Sequence, residues 1–258
     1  MDAIVTAGGI PQPGEPLYEY TRGSSKALLD ICGKPMVQWV LDALDASCKV
    51  DHVIVIGLQA EDGISCSKAA AYLPNQGGML QNIRAGMSKM LEINPDSGHL
   101  LVVSSDIPGI SAEMVDWLVE EVEKTDLDVY YTVITRQTME KRYPESKRSF
   151  YKLRGLEICG GDMNAVRTRM GTEQDATMER IIASRKNAFK QAAMVGFDIL
   201  FLLLFRLISL EKGVELVTRR LNISGRAVLC PYAEVGMDVD KPHQLEMMRS
   251  DLASRVTV

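Results

Sequence analysis

The chain has 258 residues, of which 46% are hydrophobic, and carries a formal net charge of −5. This length is ordinary for one α/β domain, and the apolar fraction is sufficient for a sizeable core. Because a mildly acidic chain does not attract a phosphate backbone, we exclude nucleic acid as a general partner.

Cysteine usage and the start of the chain favour a cytoplasmic protein. The five cysteines are scattered, with no CxxC pair and no histidine at ligand spacing, which indicates neither a zinc site nor a disulfide framework. Free thiols are typical of a reducing cytoplasm. No signal peptide is expected, since Asp2 follows Met1 and the first apolar run is only as long as a strand.

In chain order, apolar runs of strand length alternate with segments of helical periodicity through the first half. The predicted elements are strands at 3–6, 52–57, 99–104 and 128–132, separated by helices at 35–47, 79–93 and 111–124. Strands that alternate with helices predict a mostly parallel central sheet covered on both faces. We therefore expect a three-layer α/β/α sandwich.

The second half changes character, beginning with a basic stretch at 136–154 that Pro144 interrupts. The predicted elements are a hairpin at 150–159, helices at 174–186 and 209–221, a strand at 227–230 and a terminal helix from Pro242. We find neither an internal repeat nor a clean linker. The sequence therefore predicts a single domain over 1–258 with an inserted subregion at 136–225.

One apolar stretch, 195–210, is the candidate for a membrane-spanning segment. It carries Asp198 and Arg206 and falls short of the roughly 18 apolar residues that a membrane span needs, so we expect no stable insertion. A buried core helix is its simplest explanation. A homodimer interface and contact with an apolar ligand are the alternatives.

The most informative stretch is the glycine pair Gly8-Gly9 at the end of the first strand, followed by a loop with Arg22 and Lys26. Glycines let backbone N–H groups approach a phosphate chain, because no Cβ is in the way. Arg22 and Lys26 can balance the phosphate charge. Neither a Walker A loop nor GxGxxG is present. We interpret the stretch as a site for a nucleoside triphosphate (NTP), with a simple turn as the alternative.

A second strand end carries an acidic residue. Asp106 follows the apolar strand 99–104, so we expect its carboxylate at the same sheet edge as Gly8, where ligands of open α/β sheets bind. A hard oxygen ligand there suits Mg²⁺ that bridges phosphate oxygens. A solvated aspartate at a strand end is the alternative.

These residues resemble the signature of nucleotidyltransferases with a glycosyltransferase-A-like fold, most closely the molybdenum-cofactor nucleotidyltransferases and the sugar-phosphate nucleotidyltransferases. The matching segments are Ala7-Gly8-Gly9, Arg22-Gly23, Lys26-Ala27-Leu28-Leu29 and Gly33-Lys34-Pro35. The chain departs from the pattern twice. An extra proline-rich stretch occupies 10–20, and Ser25 stands where the family has proline.

The resemblance implies transfer of a nucleoside monophosphate from an NTP to a phosphorylated small-molecule acceptor, with Mg²⁺ as cofactor and pyrophosphate released. It also implies residue roles. Lys26 and Arg22 are the implied catalytic residues, Ala7, Gly8, Gly9 and Ser105 belong to the nucleotide site, and Asp106 and Asp240 hold the metal. Asp238 is the alternative to Asp240 for the second metal carboxylate, and a helix cap is an alternative role for Asp240.

Two further regions of the site follow from the same comparison. The glycine pair that ends at Gly78 suits close approach of a base or ribose, and the family places base recognition near Asn82, where an ordinary amphipathic helix is the alternative. The basic stretch suits an anionic acceptor, for which we select Arg148 and Lys152; a solvated hairpin is the alternative. The following segment Gly160-Gly161-Asp162-Met163-Asn164 resembles a Gly-Gly-Asn segment that some members of the family place against the acceptor, with Asp162 and Met163 inserted, and from it we select Asn164.

Two other functions remain open from the sequence. One is a glycosyltransferase that uses a nucleotide-sugar, with Asp238-Val239-Asp240 as its DxD motif. The position of this motif at the end of the chain argues against it. The other is a catalytically degenerate NTP-binding protein, which the altered loop before Arg22 suggests.

Overall fold

The computed structural model describes residues 1–171 and 208–256. The predicted helix at 174–186 and most of the apolar stretch 195–210 lie outside these ranges. No helix within them is long and apolar enough to cross a membrane.

The described elements follow the predicted alternation. The strands are β1 (Asp2–Thr6), β2 (Asp30–Ile31), β3 (Lys34–Pro35), β4 (Val53–Ile56), β5 (Ala69–Leu73), β6 (His99–Ser104), β7 (Val129–Thr135), β8 (Tyr151–Leu153), β9 (Leu156–Gly160), β10 (Met163–Arg167) and β11 (Gly225–Leu229). The helices are α1 (Tyr18–Thr21), α2 (Met36–Ala46), α3 (Met79–Ile93), α4 (Ala112–Glu123), α5 (Arg136–Arg142), α6 (Leu210–Leu221) and α7 (Pro242–Val256).

The large sheet has the strand order β5-β4-β1-β6-β10-β7-β9-β8, with β11 also paired to β7. Strands β5, β4, β1 and β6 are mutually parallel, and β11 is parallel to β7. Strand β10 runs antiparallel to both β6 and β7, and β9 runs antiparallel to β7 and β8. Most strands therefore point the same way, as predicted.

Alternating side chains of β1 build the two faces of the sandwich. Ile4 packs in a cluster with Met87 and Met90 of α3, whereas Ala3 and Val5 belong to the larger core that includes α2, α4 and α7. Successive side chains of a strand point to opposite faces, so one apolar strand supplies both cores. The three-layer α/β/α prediction is confirmed.

Two strands of the sheet were not predicted from sequence. Strand β5 lies at an edge of the sheet and has the sequence Ala-Ala-Ala-Tyr-Leu. Because it contains no β-branched residues, the sequence did not mark it as a strand. Strand β10 follows Gly160-Gly161, and we interpreted its residues as an acceptor-contacting segment. It instead separates β6 from β7 in the sheet.

Candidate active site

The site lies where the carboxyl ends of β1, β4 and β6 meet. Thr6 of β1 is in register with Ile56 of β4 and Ser104 of β6, so these strands end at one edge. Strand β10 is antiparallel to β6, and its first residue therefore starts at the same edge. Ser104 N donates to Asp162 O at 2.8 Å, and Val239 N donates to Asp106 O at 2.9 Å. These backbone bonds bring three distant segments of the chain together.

Lys26 lies at the centre of this edge and bridges two carboxylates. Its Nζ is 2.6 Å from Asp106 Oδ2 and 2.6 Å from Asp240 Oδ1. Burial opposes the charged form of Lys26, but the two carboxylates outweigh it and raise the pKa of the amine. The structure thus joins three residues that the sequence selected separately.

Ser25 fixes Lys26 relative to the glycine pair. Its Oγ donates to Ala7 O at 2.9 Å and accepts from Ala27 N at 3.3 Å, and Lys26 N donates to Gly9 O at 2.9 Å. The short 3₁₀ turn Lys26–Leu28 is therefore tied to the end of β1. The serine at this position supplies a side-chain cap that proline could not.

Arg22 is placed differently from Lys26. It is the C-cap of the short helix α1, just after the extra stretch 10–20, and has a left-handed backbone (φ 48°). Its backbone N donates to Tyr18 O at 2.7 Å, and the residue is exposed. The buried Leu17 anchors this stretch to the core. The catalytic role of Arg22 stays a prediction.

The predicted base-binding residues lie in the loop between β5 and α3. Gly78 is the N-cap of α3, and Asn82 is buried in the helix's first turns. Asn82 Oδ1 accepts from Gln76 N at 2.7 Å, and its Nδ2 donates to Asn75 Oδ1 at 3.1 Å. Sequence reasoning missed Asn75, since it follows a strand that was not predicted.

Asp238 and Asp240 differ in burial and in ion-pair partner, although only one residue lies between them. Asp238 is buried and forms an ion pair with Arg148. Asp240 is exposed, shares Lys26 with Asp106, and its backbone N donates to Gln244 Oε1 at 3.0 Å. The arrangement therefore groups Asp240, rather than Asp238, with Asp106.

A cavity of about 480 Å³ opens beside Asp240. Its cationic lining residues are Lys147, Arg148 and Lys241, its aromatic ones are Tyr131, Phe150 and Tyr151, and its carboxylates are Asp162 and Asp240. Such a mixture of positive charge and aromatic surface can hold an anionic small molecule. Of the metal-binding candidates, Asp240 lines this cavity, whereas Asp106 and Asp238 do not.

Lys152 and Asn164, the other predicted acceptor residues, are absent from the residues found to line this cavity. Lys152 Nζ is 3.6 Å from Glu157 Oε1. Asn164 Oδ1 accepts from Thr132 N at 2.8 Å, and its Nδ2 donates to Gly161 O at 3.0 Å. Asn164 therefore links β10 to β7 and to the turn before it, while Arg148 alone of the three reaches the cavity.

Asp162 is a site residue that the sequence did not identify. Burial and the neighbouring carboxylate of Asp106 raise its pKa to about 7, although Arg148 opposes the shift. In the sequence it is the insertion that interrupts a Gly-Gly-Asn pattern, and nothing there marks it as close to Asp106. Only the antiparallel placement of β10 brings it to this edge.

The carboxylates at this edge fit Mg²⁺. Asp106 is 8% exposed, and its buried Oδ1 has no hydrogen-bond partner in the part of the chain that the structure describes. Within residues 1–171 and 208–256, no set of three His, Cys, Asp or Glu side chains is arranged to hold a metal. Mg²⁺ needs no such set, because it is usually held by one or two carboxylates together with water and substrate phosphates.

Comparison with known proteins matches this chain to a family of NTP transferases and to a solved transferase structure. A family model described as the MobA-like NTP transferase domain matches residues 4–187. A structure described as a hypothetical transferase from Thermus thermophilus is 30% identical, with a TM-score of 0.81, over 95% of this chain and 98% of that one.

Two more distant relatives extend the comparison. A CMP:2-keto-3-deoxy-manno-octonic acid synthetase complexed with CTP is 16% identical, with a TM-score of 0.61, over 98% of this chain and 99% of that one. The bifunctional protein GlmU of Thermoanaerobacter pseudethanolicus is 22% identical over 219 residues, which are 83% of this chain. The match spans 41% of GlmU, less than half of that protein.

Proposed function

Because the chain belongs to the family of MobA-like NTP transferase domains, we propose that it transfers a nucleoside monophosphate from an NTP to a phosphorylated small molecule. A phosphate oxygen of the acceptor attacks the α-phosphorus, the bond to the β-phosphate breaks, and pyrophosphate leaves. The single observation that carries this proposal is the bridge from Lys26 to Asp106 and Asp240, since the backbone N of the same lysine donates to Gly9 O.

The nucleotide phosphates would lie along the glycine pair. Gly8 and Gly9 offer backbone N–H groups at a strand end, next to Ala7 and Ser105. Lys26 would stabilise the charge that develops on the α-phosphate, since its ammonium is already held at this edge. Little covalent chemistry falls to the protein, so positioning and charge neutralisation supply the catalysis.

Asp106 and Asp240 would hold Mg²⁺, which supplies charge neutralisation at the phosphates when bound. Asp240 is the second ligand in this proposal because it shares Lys26 with Asp106, whereas Asp238 is buried and pairs with Arg148 instead. The same pairing argues against a glycosyltransferase that would use both aspartates as a DxD motif. The buried Oδ1 of Asp106, which has no hydrogen-bond partner among the described residues, would be available to the metal.

The acceptor would occupy the cavity beside Asp240, with its anionic group near Arg148. Part of the lining comes from the subregion 136–225, which therefore would face the acceptor within a single domain. The role of Lys152 and Asn164 would be indirect, through the β8–β9 hairpin and β10. The free thiols of the five cysteines are consistent with the cytoplasmic location that we propose.

Thermal denaturation with each of CTP, GTP, UTP and ATP tests the nucleotide part of this proposal. CTP comes first, since one structural neighbour is complexed with it. An NTP at about 100 times its Kd stabilises the folded state by about 2.7 kcal/mol. For a chain of this size, that corresponds to a Tm rise of roughly 5–10 °C. We expect the rise with Mg²⁺ and a much smaller one in EDTA; no rise with any NTP would refute the proposal.

A further inference from the structure

Asn75 makes three side-chain hydrogen bonds that connect two loops at the edge of the sheet. Its Nδ2 donates to Gly8 O at 2.9 Å. Its Oδ1 accepts from Gly77 N at 3.0 Å and from Asn82 Nδ2 at 3.1 Å. One amide group therefore contacts the glycine pair after β1, the loop after β5 and the first turns of α3.

Asn82 extends this connection further into the loop. It is 4% exposed, and its Oδ1 accepts from Gln76 N while its Nδ2 is taken by Asn75. Both ends of this buried amide therefore bond to the protein. A buried amide satisfied in this way holds a loop in one conformation, rather than offering its own polar atoms to a ligand.

The packing around Gly8 shows how closely Asn75 approaches it. A Cβ built on Gly8 would lie 2.7 Å from Cγ of Asn75, closer than real Cβ contacts. The absence of a side chain at Gly8 thus makes room for Asn75 as well as for a phosphate. The amide of Asn75 bridges the two loops by hydrogen bonds, although the residue itself is exposed.

We infer that Asn75 is a positioning residue that couples the phosphate half of the nucleotide site to the base half. The inference rests on the proposed function, since it assumes that Gly8 faces the triphosphate and the loop 76–78 faces the base. Fixing both loops before the ligand arrives lowers the ordering cost of binding. Asn82 acts in the same network, through the loop rather than by direct contact with the base.

The test is the Kd of each of the four NTPs, with Mg²⁺, measured by calorimetry on the full chain. For Asn75→Ala we expect the Kd of the preferred NTP to rise about tenfold, because the loops lose their preorganisation. We also expect the ratio of the Kd of the weakest-binding NTP to that of the tightest-binding NTP to fall, because the loop 76–78 is no longer fixed relative to the glycine pair. A purely structural role would leave that ratio unchanged.

Asn94→Ala is the matched control, since Asn94 ends the same helix and its Nδ2 donates to Asp2 Oδ2 at 2.9 Å. It also loses a side-chain hydrogen bond, but at the opposite end of β1 from Gly8. We expect its Kd values and their ratio to equal those of the wild type. If Asn75→Ala and Asn94→Ala have the same Kd values and the same ratio, the inference is wrong while the proposed function stands.

Asn75→Asp keeps the inference testable if Asn75→Ala does not fold. The carboxylate retains the two bonds that Oδ1 accepts, loses the donation to Gly8 O and adds a negative charge beside the phosphate loop. We expect a Kd at least tenfold higher than that of the wild type, and an unchanged Kd would contradict the inference. A wild-type chain that binds no NTP would instead overturn the proposed function, and the inference with it.

Discussion

Lys26 holds together two carboxylates that would otherwise repel each other. Asp106 is buried and Asp240 is exposed, and the ammonium between them is within hydrogen-bond distance of both. An ammonium that is already placed at the sheet edge needs little reorganisation when a phosphate chain arrives. In the proposed function, the cluster would combine a cation for phosphate with two oxygen ligands for Mg²⁺.

Asp162 gives a prediction at the residue scale, because its pKa is raised from the ordinary value of 3.8 to about 7. The folded state binds this proton more tightly than the unfolded state, so Asp162 lowers stability as pH rises from 4 to 7. Asp162→Asn removes the titration. In EDTA we expect the variant to match the wild type near pH 4 and, after discounting for partial exposure, to exceed it by about 2 kcal/mol at pH 8.

Asp128 provides a control of opposite sign for this experiment. Burial opposes ionisation there, but hydrogen bonds from Ser224 and Arg167 lower the pKa of the carboxyl. Asp128→Asn should therefore be less stable than the wild type by a constant amount above pH 4, and this difference should shrink as pH falls below 4. Denaturant titrations at several pH values measure both variants, and an Asp162→Asn variant that is no more stable at pH 8 would contradict the assignment.

Some site residues could be predicted from the sequence because they follow apolar runs that are plainly strands. Gly8 and Asp106 are of this kind, and parallel strands bring their ends to one edge. Asn75 and Asp162 could not be predicted. The first follows an alanine-rich edge strand, and the second depends on the antiparallel insertion of β10. The ion pair between Arg148 and Asp238 likewise joins segments whose distance no local pattern reports.

At the scale of elements, the ends of β1 and β4 pack unusually closely. Gly57 follows β4 with a φ of +99°, and a Cβ built on it would lie 2.5 Å from Gly8 Cα. Both the backbone conformation and the contact exclude a side chain. For Gly57→Ala we expect the free energy of unfolding to fall by roughly 3 kcal/mol or more, because backbone atoms of Ala7 and Gly8, just after β1, would have to move.

Gly63 separates the two causes, since it also has a positive φ of +77° but a Cβ there would meet no atom of the described residues within 4 Å. Gly63→Ala carries only the conformational strain, for which we expect a loss of about 1 kcal/mol. The free energies of unfolding from urea titrations compare the two variants. Equal losses would show that packing between β1 and β4 is not as tight as the structure indicates.

At the scale of the whole molecule, the sequence predicts the fold class and the family well. The strands and helices of the first half lie within a few residues of their predicted bounds, since strongly apolar runs and helical periodicity are local signals. The family resemblance drawn from residues 7–9 and 22–35 is confirmed by the family match over 4–187. Strand order is a property of the assembled sheet, so the position of β10 between β6 and β7 could not be predicted from the residues of β10 alone.

The central claim is tested most directly by analysing the products that the full chain forms from an NTP, Mg²⁺ and a panel of phosphorylated acceptors. We predict pyrophosphate in equal amount to a nucleoside-monophosphate conjugate of one acceptor. We expect Lys26→Ala and Asp106→Ala to lower the rate by about 100-fold or more, since each removes charge stabilisation at the reacting phosphate. Wild-type rates in both variants would contradict the account, as would NTP binding without turnover of any acceptor. In a parallel reaction supplied with nucleotide-sugars in place of the NTP, release of a nucleoside diphosphate would also contradict it.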